Sequence, residues 1–352
     1  MSDHFASDYA GRTPLGLSLT VTKQIGLDDV LSLARLAEER DFDSIWVPET
    51  WGTDAGTVLA LLASHTERIK IASGVFNVYS RSAALLAQTA ASLQDASGGR
   101  FVLGLGASGP KVIEDWHGMA YGEPLRRTKE YVTFIRFALA GGRVQVDGRY
   151  VRSSGFRLEN SPGHPVSIYL AALGPRNVML AGEMADGWLP IFSPASWLDA
   201  RLRLLQEGAS RAGRSASAVD VASFLPCLVG PKAPDLLRLQ VAYYVGGMGS
   251  FYARMVAEAG FEADAAAIRG AWQSGDRRAA VEHVGPRLLD ACTLGSEVGQ
   301  IIRRIGVYRA AGVRLPIVSI PRGATAEQVA DTIEALSPYQ METFTSSPKI
   351  ST

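Results

Sequence analysis

Three side chains in this 352-residue sequence have the type and setting to move a proton. Glu49 closes an apolar run and is followed by Thr50, Trp51 and Asp54. A carboxylate there can take a proton or a hydrogen bond from a ligand, and Asp54 can equally cap the next helix. Tyr79 lies in Ala72-Ser73-Gly74-Val75-Phe76-Asn77-Val78-Tyr79-Ser80-Arg81, where a β-rich run breaks at glycine and turns polar. The same stretch also reads as an ordinary loop in which Ser80 or Ser82 caps a helix. His117 sits in Glu114-Asp115-Trp116-His117-Gly118. An imidazole beside an indole and two acids can serve as a general acid, although loop histidines more often pack or face solvent.

Two further stretches have the chemistry of ligand cradles. Gly104-Leu105-Gly106-Ala107-Ser108-Gly109 has the spacing of a dinucleotide fingerprint. That motif needs a helix to open at once and an acid ending the next strand, whereas Pro110 follows and Glu130 falls in a helical pattern. The better reading is a glycine-rich strand end where a flat ligand approaches the backbone. Ala171-Ala172-Leu173-Gly174-Pro175-Arg176 ends another β-rich run and opens a helix, with Pro175 in its first turn. Free N–H groups, the helix dipole and the Arg176 guanidinium make this an anion site, or else a plain strand–helix connection. No cluster of His, Cys, Asp and Glu has metal-ligand spacing, and neither a phosphate-binding P-loop nor a G-x-S-x-G elbow is present.

These residues must be held by an alternation of short β-rich runs and longer amphipathic segments. Strands are expected at 15–21, 44–47, 69–75, 101–105, 166–171, 187–190, 219–229 and 315–320, each followed by helix. Among the helices are 27–40, 54–64, 82–96, 128–140, 177–184, 195–212 and 326–336. Eight such units in this length favour a closed (β/α)8 barrel, a TIM barrel, over an open doubly wound sheet. The expected organisation is one barrel domain over 1–340 and a flexible tail at 341–352. Insertions at about 106–123 and 235–300 would wall a cleft, and 144–158 has hairpin character.

Bulk properties exclude several classes. Lys plus Arg and Asp plus Glu both number 35, so no basic excess points to nucleic acid. No apolar stretch reaches membrane-spanning length, and the start lacks the pattern of a signal peptide. Cys227 and Cys292 stand far apart and read as structural thiols of a cytoplasmic protein.

The block from Gly74 to Pro110, GVFNVYSRSAALLAQTAASLQDASGGRFVLGLGASGP, closely resembles the bacterial luciferase-like superfamily. The nearest likeness is to the branch that uses the deazaflavin coenzyme F420, which includes methylenetetrahydromethanopterin reductase and F420-dependent glucose-6-phosphate dehydrogenase. Phe42-Asp43-Ser44-Ile45-Trp46-Val47-Pro48-Glu49, Trp116-His117-Gly118, the run from Pro124 to Tyr131 and the run from Ala181 to Trp188 extend it. The resemblance implies the same barrel, with a bulged third strand and a non-prolyl cis peptide, by position Gly74–Val75, behind the deazaflavin ring. Ser73, Gly74, Val75 and Asn77 would then border the cofactor, as would Gly106, Ala107 and Ser108. Ala171, Ala172, Leu173, Gly174, Pro175 and Arg176 would hold its phosphate. Thr50, Trp51 and Trp116 would face the substrate, with Glu49, Tyr79 and His117 as candidate proton donors. Relatives commonly form homodimers. Several carry Asp-His where this chain has Glu49-Thr50, and the glucose-6-phosphate enzyme has a Glu where this chain has Ala107. The implied activity is hydride transfer between F420 and a small organic substrate, with reduction of an activated C=C or C=N bond. An FMN-dependent monooxygenase and a catalytically silent cofactor binder are the alternatives.

Overall fold

The computed structural model describes residues 14–49 and 52–337. In chain order the elements are β1 (Gly16–Ser18), α1 (Leu27–Glu39), β2 (Ser44–Val47), α2 (Ala55–His65), β3 (Lys70–Ser73), β4 (Phe76–Asn77), α3 (Ala83–Ala96) and β5 (Phe101–Gly106). A π-helical turn, Lys111–Trp116, precedes α4 (Pro124–Leu139), the hairpin β6 (Val144–Asp147) and β7 (Arg152–Phe156), β8 (Ser167–Ala171) and α5 (Pro175–Met184). Next come β9 (Gly187–Leu189), α6 (Ala195–Arg211) and β10 (Asp220–Pro226). The helices α7 (Ala233–Gly247), α8 (Phe251–Val256), α9 (Glu262–Gln273), α10 (Arg277–Glu282) and α11 (Pro286–Cys292) follow. The described chain closes with α12 (Val298–Ala310), β11 (Leu315–Ser319) and α13 (Ala326–Ala335).

Eight strands pair in parallel in the order β3-β2-β1-β11-β10-β9-β8-β5, and β5 returns to β3 through Ile71↔Phe101 and Ala72↔Val102. That last pairing closes the sheet into the expected (β/α)8 barrel. Strand alternation sorts the side chains. Leu15, Leu17 and Leu19 pack outward among the helices, while Trp46, Ala72, Val102, Tyr169, Ala222, Phe224 and Ile317 fill the barrel. Trp46 is the central plug, its ring 5.8 Å from Tyr169 and 5.7 Å from Phe224. Gly16 makes room for it, since a β-carbon there would lie 3.1 Å from the indole nitrogen.

The expected strand over 69–75 is instead two pieces. Ala72 pairs with Val102 and Phe76 with Leu105, so the β3–β4 side carries one residue more than β5 across the gap. This is a β-bulge. The strand expected over 219–229 stops at Pro226, and the helix expected from 128 starts at Pro124, where proline suits the first turn. The helical stretch after β10 resolves into α7 to α12 with a π-helical turn at Ala257–Phe261. No described helix is long and apolar enough to cross a membrane. Cys227 and Cys292 are free and buried; burial pushes both thiols up, Cys292 to about 12, so neither is a ready thiolate. The segment 341–352 lies outside the described residues.

Candidate active site

The bulge at the end of β3 shapes the C-terminal mouth of the barrel. The peptide bond between Gly74 and Val75 is cis, at the position the family resemblance implied. The Gly74 N–H donates to the Val47 carbonyl at 2.8 Å, which ties the bulge to β2. The bulge presses the Ser73 carbonyl against β5 so closely that a β-carbon on Gly104 would sit 2.0 Å from that oxygen. Backbone cannot yield there, so only glycine fits. Val75 turns toward the ends of β5 and β8: a β-carbon on Gly106 would meet the Val75 side chain at 2.9 Å and Ala171 at 3.2 Å. Val75, Gly106 and Ala171 therefore form a low apolar shelf at the strand ends.

Several residues proposed from sequence are present but occupied. Ser73 is fully buried, and its hydroxyl both donates to and accepts from the backbone of Gly104 at 2.9 Å. It reaches the mouth through its backbone, not its hydroxyl. Asn77 is buried, and its side-chain oxygen accepts from the N–H groups of Tyr79 and Ser80 at 2.9 and 2.7 Å. That turn delivers the chain to Ser82, whose hydroxyl caps α3 by accepting from Leu85 N–H.

Tyr79, a candidate proton donor in the sequence, is buried and engaged by its neighbours. It is 4% exposed, and its hydroxyl donates to the Tyr121 carbonyl at 2.7 Å while the two rings stack at 5.6 Å. The Arg127 guanidinium lies 4.3 Å from the ring centres of both Tyr79 and Tyr150. Burial, followed by the neighbouring Tyr121, pushes the Tyr79 phenol well up. This side chain ties the 106–123 segment to the end of β4 through Tyr121.

Glu49 is likewise engaged. Its carboxylate receives three hydrogen bonds from the Arg81 guanidinium, the shortest 2.7 Å, and the two side chains are only 13% and 16% exposed. These charge-assisted bonds fix the carboxylate on the guanidinium. Arg81 also pairs with Asp54, whose carboxylate caps α2 through Thr57. Burial opposes ionisation of Asp54, but Thr57 and then Arg81 outweigh it and hold the carboxyl below its usual range. Arg81 was the residue to find here; its place four residues past Asn77 in a polar strand end was the signal. Thr50 and Trp51 lie outside the described residues.

Across the mouth, Ser108 holds a left-handed backbone at φ 55, and Tyr121 donates to its carbonyl at 3.0 Å. Ala107 is half-buried. Trp116 and His117, at the end of the π-helical turn, are exposed. At β8, the Ala172 carbonyl accepts from the Trp188 indole at 2.9 Å, which fixes the turn into α5. Gly174 caps α5 without a side-chain oxygen, Pro175 begins the helix, and a β-carbon on Gly174 would meet nothing within 4 Å. An uncapped helix start facing open space is suited to a phosphate or carboxylate. Leu173 is half-buried beside it, and Arg176 is exposed.

Residues 12–315 match the family model described as luciferase-like monooxygenase. The chain belongs to that family. This luciferase-like protein is 32% identical over 322 residues to a Mycobacterium tuberculosis protein named provisionally as a coenzyme F420-dependent oxidoreductase, covering 85% of this chain and 92% of the relative. It is 36% identical over 227 residues to the 5,10-methylenetetrahydromethanopterin reductase of Methanolobus tindarius, covering 62% of this chain and 69% of that one. In fold, the luciferase-like chain superposes on the F420-dependent tetrahydromethanopterin reductase of Methanopyrus kandleri with a TM-score of 0.80 at 24% identity, covering 93% and 98% of the two chains.

Proposed function

We propose that this protein is a coenzyme F420-dependent oxidoreductase that reduces an activated C=C or C=N bond of a small organic substrate. The observation that carries this reading is the bulge at Gly74–Val75 facing the small residues Gly106 and Ala171, beside the uncapped start of α5. Its supports are the F420-dependent names of the relatives above and the fit of the site to a flat ring with an anionic tail. A tricyclic ring needs a shelf without projecting side chains, and Val75, Gly106 and Ala171 supply one. A phosphate is suited to a helix start, and α5 opens at Gly174 with no side-chain cap and open space beside that residue.

When bound, the deazaflavin supplies a carbon that gives or accepts hydride, with little reactivity toward oxygen. The chain's part is positioning. Val75 would back one face of the ring, Ala107 and Ser108 would border its edge, and the α5 turn would anchor the tail. The Glu49–Arg81 pair holds the ends of β2 and α3 in register around the mouth.

A fluorescence titration of the full chain with F420 and, separately, FMN tests this reading. The expected result is saturable F420 binding, with FMN at least about tenfold weaker. The opposite preference would make this a flavin enzyme.

A further inference from the structure

The helices inserted between β10 and α12 carry an aromatic cluster. On α7, Tyr244 stacks on Phe192 with ring centres 5.1 Å apart and planes 11° from parallel. The Tyr252 ring of α8 meets it edge-on at 4.8 Å, and Tyr243 meets the Trp272 ring of α9 at 5.7 Å. The last contacts are built into α7: β-carbons on Gly246 and Gly247 would lie 2.7 and 2.8 Å from the Trp272 ring. Two adjacent glycines weaken a helix, so their presence marks the seat of that indole as the feature being kept.

Phe192 links this cluster to the mouth. It lies three residues past the end of β9, is fully buried and stands at φ 62, a conformation that bulky residues rarely adopt. Its N–H donates to the Phe224 carbonyl at 3.0 Å. The Phe224 ring in turn covers the bulge, 2.9 Å from where a β-carbon on Gly74 would stand. One connected path thus runs from the Gly74–Val75 bulge through Phe224 and Phe192 to Tyr244.

The half-buried Tyr244 meets the rings of Phe192, Tyr243 and Tyr252, and its hydroxyl, without a hydrogen-bond partner among the described residues, is not sealed from solvent. A hydroxyl held by rings but open on its polar side is free to bond a ligand that enters. Burial pushes this one up to about 12, with Tyr243 adding to the rise and the positive Arg322 opposing it. It is therefore protonated near neutrality and able to donate.

We infer that this cluster is the substrate wall of the site, that it selects flat conjugated carbonyl compounds, and that Tyr244 donates to the carbonyl oxygen. The inference rests on the oxidoreductase reading above. Hydride from the reduced deazaflavin forms a new C–H bond at the β-carbon as the C=C π bond breaks, placing negative charge on the carbonyl oxygen. Tyr244 stabilises and protonates that oxygen, the resulting enol shifts its proton to the α-carbon through solvent, and the tyrosinate regains a proton from water. The substrate gains two electrons and the deazaflavin loses two.

The test uses the full chain with F420, trans-cinnamaldehyde as a flat conjugated probe and 3-cyclohexylpropanal as its non-planar counterpart. Tryptophan fluorescence reports probe binding to the complex with oxidised F420, and loss of reduced F420 reports turnover. Expected are saturable binding of cinnamaldehyde, weaker binding of the counterpart by about tenfold, and consumption of reduced F420. Tyr244→Phe keeps F420 affinity and probe binding but lowers kcat on the order of 10²-fold with KM little changed. Trp272→Leu weakens the probe without changing F420 affinity. Cinnamaldehyde ignored by the F420-bound protein, bound without consumption of reduced F420, or turned over equally fast by Tyr244→Phe would overturn the inference. Failure to bind F420 at all would instead remove the oxidoreductase reading beneath it.

Discussion

Ser73 and Gly104 are joined by two hydrogen bonds through one hydroxyl: the Ser73 oxygen donates to the Gly104 carbonyl and accepts from the Gly104 N–H, each at 2.9 Å. The bulge takes β3 out of register with β5 at this point, so both backbone groups of Gly104 lose their ladder partner. A single side chain satisfies them in a fully buried setting.

Ser73→Ala leaves those two buried groups unsatisfied. A loss of about 1–3 kcal/mol in unfolding free energy is expected, measured by urea denaturation. An unchanged midpoint would show that water replaces the hydroxyl.

Gly104→Ala places its methyl against the Ser73 carbonyl, where neither strand can move without breaking the bulge. The variant is expected to lose soluble folded protein or, if folded, F420 affinity together with stability. Circular dichroism and the F420 titration check both.

Gly174→Trp is the converse case, because its φ of −72 is open to any residue and the space beside it is empty. Stability should stay near wild type while F420 affinity falls at least about tenfold. Retained affinity would remove the α5 turn as the phosphate site.

Tyr79→Phe removes the bond to the Tyr121 carbonyl but keeps the stacked ring. A cost of about 1 kcal/mol in stability is expected, with F420 binding and turnover unchanged. A turnover defect with normal stability would restore Tyr79 as a proton donor.

Asp54→Asn keeps a capping oxygen for α2 and removes only the charge that Arg81 and Thr57 stabilise. The folded carboxyl lies below its ordinary range, so its contribution is full above the unfolded aspartate range and disappears as pH falls through the lowered value. The stability gap between wild type and variant should therefore be widest near neutral pH and close under acid. A gap independent of pH would contradict the charge argument.

The barrel was legible in the sequence because its signals are local. Strand and helix differ in hydrophobic period, and each run of apolar residues between glycines and caps states its own type. The glycines at 104 and 106 and the Gly174-Pro175 turn were legible for the same reason, since a demand on the backbone shows in the residue that meets it. What each polar side chain does was not legible. Glu49 and Arg81 are 32 positions apart, Tyr79 and Tyr121 are 42 apart, and Ser73 and Gly104 are 31 apart. Phe192 and Tyr244 meet from separate strand-end and helix segments. Such pairings depend on which strand ends the closed barrel brings together, and no periodicity within one segment encodes a neighbour on another. Closure of β5 onto β3 brought Glu49 to Arg81 and Tyr79 to Tyr121, while the inserted helices, expected from sequence only to wall a cleft, set Tyr244 against Phe192.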